Sequence, residues 1–166
     1  MVDGKRRKNI ILICAAVVVL VLGTVGTWFF FGHTNTTPLP RQLIAQANFP
    51  LYYPSALPAG YALKANSASG DNDIVFYTLT DSTGKNDITI TMQAALATFD
   101  ASKEIGSSPI PTTITPAGTL YNLSSGGSSS YMLVTGKTLL YLRSPVTIEG
   151  KIMTTITNSL TQIKSE

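Results

Sequence analysis

The run from Asn9 to Gly32 carries no charged side chain, and Lys5, Arg6, Arg7 and Lys8 stand directly in front of it. As a helix rising ~1.5 Å per residue, that run would be about 36 Å long, enough to cross a ~30 Å hydrocarbon core with some tilt. The sequence therefore predicts a basic tail over residues 1–8, a transmembrane helix over 9–32, a linker over 33–40 and a separate domain over 41–166. The linker is polar, rich in Thr and closed by Pro38 and Pro40, a short and fairly extended composition.

Charge placement predicts the orientation. The whole net charge of +3 comes from residues 1–8, since residues 33–166 hold equal numbers of basic and acidic side chains. A cation-rich flank stays cytoplasmic, and aromatic rings settle at the headgroups. Lys5, Arg6, Arg7 and Lys8 thus fix the inner end, while Trp28, followed by Phe29, Phe30 and Phe31, suits the outer interface. The expected product is a single-pass cell-membrane protein, N-terminus inside and domain outside, with the lipid bilayer as partner of residues 9–32.

Other uses of such a segment fit less well. A cleaved signal peptide has a shorter apolar stretch and a small-x-small exit, whereas this run ends in Trp28-Phe29-Phe30-Phe31-Gly32-His33. A lipoprotein would modify Cys14, but the bulky Ile13 precedes it, and a small buried hydrophobe facing lipid is the simpler role. A pilin carries a glutamate inside its apolar helix, and this run has none. Gly23 and Thr27 form a small-xxx-small pair that can bring helices together, a spacing common in membrane helices anyway.

In the domain, periodicity predicts an α+β architecture: an antiparallel sheet of five to seven strands with a C-terminal helix packed on one face. A short helix is expected over 40–47 and another around 101–105. The opening from Phe49 to Tyr61 has prolines at 50, 54 and 58 and is expected to be irregular. Strands are expected at 61–68, 74–80, 87–94, 111–115, 120–123, 131–135 and 138–143. The clearest is 87–94, with Ile88, Ile90 and Met92 on one face and Thr89, Thr91 and Gln93 on the other. Gly136-Lys137 predicts a two-residue hairpin turn of type II′, which needs φ > 0 at its first position. Ile148, Ile152, Ile156, Leu160 and Ile163 predict one apolar helical stripe from Thr147 onward, capped by Ser144 or Thr147.

The stretch Tyr53-Pro54-Ser55-Ala56-Leu57-Pro58-Ala59-Gly60-Tyr61, with paired strands and a final helix behind it, resembles a bacterial extracytoplasmic domain family of unknown function. Its members open on P-x-x-L-P-x-G-Y and commonly sit behind one transmembrane helix, some of them in anti-sigma-factor-like and lipoprotein-like proteins. The resemblance implies location and fold, and it brings no catalytic residues with it. The Leu-Pro-x-Gly-Tyr element itself is a turn, with Pro58 setting φ and Gly60 supplying a permissive backbone.

Few residues suggest chemistry. Gly136-Lys137-Thr138 matches the end of a phosphate-binding loop, but Tyr131 stands where that motif needs glycine and a strand follows; a hairpin is expected and no nucleotide. Asp71-Asn72-Asp73 and Asp81–Asp87 offer oxygens at close spacing, yet neither follows a calcium-loop pattern, and Asp and Asn also build turns. Cys14 and His33, the only cysteine and histidine, both precede the domain, so neither zinc nor a histidine-based triad is expected. Ser–Lys pairs through Lys64, Lys85, Lys103, Lys137 or Lys151, and paired carboxylates among Asp100, Glu104 and Glu149, stay formally open. Balanced charge gives no reason to expect nucleic acid.

Tyr52, Tyr53 and Tyr61 offer a possible binding surface for a glycan or peptide, their rings apolar and their tips polar; packing onto the domain's own sheet would use them equally well. The expected function is a non-catalytic binding, sensing or accessory module of the cell envelope, without cofactor, working with a membrane or envelope protein. A pilin-like filament subunit and an envelope hydrolase with Ser–Lys or paired-carboxylate chemistry are the alternatives.

Overall fold

The computed structural model describes residues 38–164 apart from 102 and 104–109. The expected transmembrane helix over 9–32, its flanks Lys5, Arg6, Arg7, Lys8 and Trp28, and Glu104 lie outside the described residues. Among the described residues, no helix is long and apolar enough to cross a membrane. They belong to a compact unit spanning Thr37–Glu166.

In chain order the elements are α1 (Arg41–Gln46), β1 (Tyr52–Pro54), β2 (Tyr61–Leu63), β3 (Ser69–Gly70), β4 (Ile74–Asp81), β5 (Ile88–Ala94), β6 (Thr112–Thr115), β7 (Gly118–Asn122), β8 (Ser129–Thr135), β9 (Thr138–Ser144), α2 (Gly150–Asn158) and β10 (Leu160–Gln162). Strict alternation makes β4 and β5: Val75, Tyr77 and Leu79 are fully buried and register against Met92, Ile90 and Ile88. Period 2 puts these residues on one face of the sheet. The same row runs on through β9 and β8, where Met92 faces Leu140, Leu140 faces Leu133 and Leu133 faces Leu120.

The main sheet is antiparallel, in the order β2-β4-β5-β9-β8-β7-β6, with β3 as an eighth strand beside β4. α2 lies on its core face and sinks Met153 and Ile156 into the cluster formed by the strands. The architecture is α+β, an antiparallel sheet with the C-terminal helix on one face. Leu39, within the expected linker, is only 2% exposed and already belongs to that core. The Gly136-Lys137 hairpin is as the sequence predicts: Thr135 pairs with Thr138 and Gly136 has φ +57°.

Four expectations need correction. The strand count exceeds five to seven, because the expected strand 61–68 breaks after Leu63 and resumes at Ser69. Asn66 at φ +56° makes the break, and both pieces pair with β4. The opening is not wholly irregular: Tyr52–Pro54 pairs with Leu160–Gln162 as a second, two-stranded sheet. Pro54 is tolerated there as the last residue of a ribbon strand. The C-terminal helix stops at Asn158, so Leu160 and Ile163 pack on the core from β10 and the residue after it. Its run of β-branched residues is a poor helix former, and Thr154, Thr155 and Thr157 turn their hydroxyls onto the carbonyls of Gly150, Lys151 and Met153. Pairing with β1 satisfies the chain beyond Asn158 instead. Finally, Glu149 stands at the N-cap and makes no side-chain cap; Ser144 ends β9.

Candidate functional site

A cleft of about 510 Å³ opens between α1 and the end of β10, lined by Ile44, Ala47, Asn48, Phe49, Pro50, Leu51, Gln162, Ile163 and Lys164. Its floor is apolar because Phe49 and Leu51, at 7% and 3% exposure, belong to the core, with Ile44, Ala47 and Ile163 packed beside them. Its rim is polar, made of Asn48, Gln162 and Lys164. Among the described residues the lining holds no carboxylate and Lys164 makes no ion pair.

Three long-range bonds hold this region in place. Asn48 N–H donates to the Asn72 carbonyl at 3.1 Å, Ile163 N–H donates to the Leu51 carbonyl at 2.8 Å, and the Thr138 hydroxyl donates to the Pro50 carbonyl at 2.6 Å. The chain leading into β1 is thus tied to β9, to the turn before β4 and to the C-terminal segment.

Tyr52 and Tyr53 lie in β1 while Tyr61 starts β2 in the other sheet, and all three are half-buried against the core. The Tyr53 ring sits 5.3 Å from that of Tyr77, tilted by 37°, a separation typical of paired aromatics. Tyr77, which sequence reasoning did not single out, is fully buried and donates its hydroxyl to the Tyr52 carbonyl at 3.2 Å. Burial pushes the Tyr77 phenol well above its ordinary value, and proximity to Tyr53 adds to that. Burial also raises Tyr53, and burial followed by the Asp81 charge raises Tyr61. At Tyr53, Tyr61 and Tyr77, burial thus favours the protonated phenol.

The acidic turns are built for themselves. Asp71 Oδ1 accepts the N–H groups of Asp73 and Ile74 at 2.9 and 3.0 Å. Asp81 accepts from the Thr83 hydroxyl, the Asn86 amide and the backbone of Thr83, Lys85 and Asn86. Partial desolvation works to raise its pKa, but hydrogen bonds from Thr83 and Asn86, then the backbone of Asn86 and Lys85, hold it down at about 2. Oxygens already surrounded by N–H and O–H donors are poorly disposed toward a cation. Among the described residues, no group of three or more His, Cys, Asp or Glu side chains could hold a metal ion.

Lys64, just after β2, donates to Asp87, just before β5, at 2.6 Å. That contact lowers the Asp87 carboxyl first, with a smaller contribution from Thr80. The Thr80 hydroxyl and the second Asp87 oxygen are buried without a well-formed hydrogen bond, so Thr80 acts on Asp87 at longer range. Lys103 pairs loosely with Asp100 at 3.9 Å. Among the described residues, no lysine amine bonds a serine hydroxyl. Glu149 is exposed at the start of α2, and Lys137 sits in the hairpin turn before β9.

The second face of the main sheet is mixed. Met132 and Leu139 are buried at 2% each, whereas Ile74 and Phe76 are 37% exposed. Arg143 lies over the Tyr141 ring at 5.4 Å. No protein-family model matches the chain, and no curated protein matches it.

Proposed function

We propose that this is a single-pass membrane protein that displays the α+β domain on the outer side as a non-catalytic binding, sensing or accessory module of the cell envelope. The observation that carries the reading is the charge asymmetry about the uncharged run: residues 1–8 hold the entire net charge of +3. A basic flank of that kind is retained inside, and the folded unit begins only a few residues beyond the run, at Thr37. The domain family suggested by Leu57-Pro58-Ala59-Gly60-Tyr61 agrees with that placement and remains part of the proposal.

Two features support binding as the activity. The α1–β10 cleft sets a polar rim over an apolar floor, a mixed lining that offers a ligand both polar and apolar contacts. Among the described residues, the titratable groups with displaced pKa values, Tyr53, Tyr61, Tyr77, Asp71, Asp81 and Asp87, are accounted for by packing, by turns or by the Lys64 ion pair.

In-cell crosslinking of the full chain, followed by solubilisation and identification of the adducts, tests the reading. A recurrent envelope-protein partner is the expected result. Ladders of self-crosslinked chain without any other partner would instead make the protein a filament subunit.

A further inference from the structure

The hydrogen-bond phase of the β1–β10 ribbon decides which backbone groups β10 leaves free. Ile163 N–H donates to the Leu51 carbonyl and Ser55 N–H to the Ser159 carbonyl. In an antiparallel pair, alternate residues exchange both bonds with the partner strand and the ones between point away. The bonded set is therefore Leu51, Tyr53 and Ser55 against Ile163, Thr161 and Ser159. Tyr52 confirms the phase from the other strand: its N–H reaches Met92 Sδ at 3.3 Å and its carbonyl accepts from Tyr77, both outside the ribbon. By the same alternation, the N–H and C=O of Leu160 and Gln162 point away from β1. Thr161 and Gln162 are exposed, and among the described residues β10 pairs with no strand other than β1.

This open edge adjoins the cleft, since Gln162, Ile163 and Lys164 line it. A strand edge beside an apolar hollow is the arrangement used for strand addition, where main-chain bonds supply affinity and alternate side chains fill pockets. We propose that the β10 edge and the α1–β10 cleft accept an extended peptide segment of a partner protein, with an apolar side chain in the cleft and a carboxylate against Lys164. The proposal rests on the reading of the domain as a binding module and names its partner's chemistry.

Charge complementarity selects this occupant. Among the described residues, Lys164 is the only charged side chain in the lining. In a second copy, β10 and α1, Leu160–Gln162 and Arg41–Gln46, bring no carboxylate of their own, and the acid nearest them in sequence, Glu166, lies outside the described residues. The linker His33-Thr34-Asn35-Thr36-Thr37 has neither an apolar anchor nor an acid. A different chain carrying Asp, Glu or a terminal carboxylate satisfies both the cleft and the cation.

The test is selection of short random displayed peptides against the full chain in nanodiscs, followed by titration of the best synthetic peptide. Peptides with an apolar residue near an acidic one should be enriched. Gln162→Pro removes an N–H that bonds nothing in β1, so it should weaken binding about tenfold or more. Lys164→Glu, at an exposed position, should weaken it comparably and reverse its salt dependence, since salt then screens a repulsion. Equal affinity for both variants would overturn the site while leaving the binding-module reading intact. Enrichment of no peptide, with a partner still captured by in-cell crosslinking, would overturn the peptide and again spare the module. A dimer in sedimentation that Gln162→Pro dissolves would overturn it in favour of a second copy.

Discussion

Tyr77 connects the two sheets through a single hydroxyl, donated from the middle of β4 to the Tyr52 carbonyl in β1 at 3.2 Å. Tyr77→Phe keeps the ring and strands that carbonyl, so it should cost about 0.5–1.5 kcal/mol, read as a lower denaturant midpoint at unchanged m-value. Asp81 gives the pH dependence of its loop. Its carboxyl titrates at about 2 in the fold against an ordinary 3.8, so the stabilisation is complete above the ordinary carboxylate range and fades as pH falls through about 2. Thermal unfolding should show wild type losing stability across that acid window, and Asp81→Asn should lose less there. At this scale the sequence is legible where a residue acts locally. Asp81 and Asn86 are visible turn formers, whereas Tyr77 looks like any strand aromatic because its partner lies 25 positions away.

Elements differ in how much of their definition is local. β4, β5, β8 and β9 follow from alternation, and the hairpin between β8 and β9 follows from Gly136, because period and turn chemistry act over a few residues. The end of α2 does not. An apolar residue every fourth position continues to Leu160, but poor propensity after Met153 lets β1 recruit Leu160–Gln162 as a strand. β1 itself is hidden by its prolines, and the cleft that depends on this pairing is hidden with it. Gly118 illustrates a constraint that composition does not advertise: at φ +137°, a Cβ there would lie 2.5 Å from the Val134 carbonyl oxygen on β8. Gly118→Ala should destabilise by about 2 kcal/mol or more, since neither the backbone conformation nor the neighbouring strand can yield. Ile156→Ala empties a fully buried site under α2 and should cost about 2–5 kcal/mol. Equilibrium denaturation of both variants provides the check.

For the whole molecule, the sheet, the helix and the tyrosine packing serve to hold one domain together without disulfides, as Cys14 is the sole cysteine. The consequence for function lies in the pairing of chain ends. Residues just after the proposed anchor, from α1 to β1, are clasped by the last residues from β10 to Lys164, and the cleft is the seam between them. A ligand there would be recognised at the part of the domain closest in sequence to the proposed anchor. The most direct measurement of the central claim is topology in intact cells. Lys151→Cys, exposed on α2, should react with a membrane-impermeant maleimide without permeabilisation, while Val2→Cys should react only after it, and the protein should stay with the membrane through an alkaline wash. Labelling of Lys151→Cys only after lysis, or release of the chain into the wash, would contradict the account.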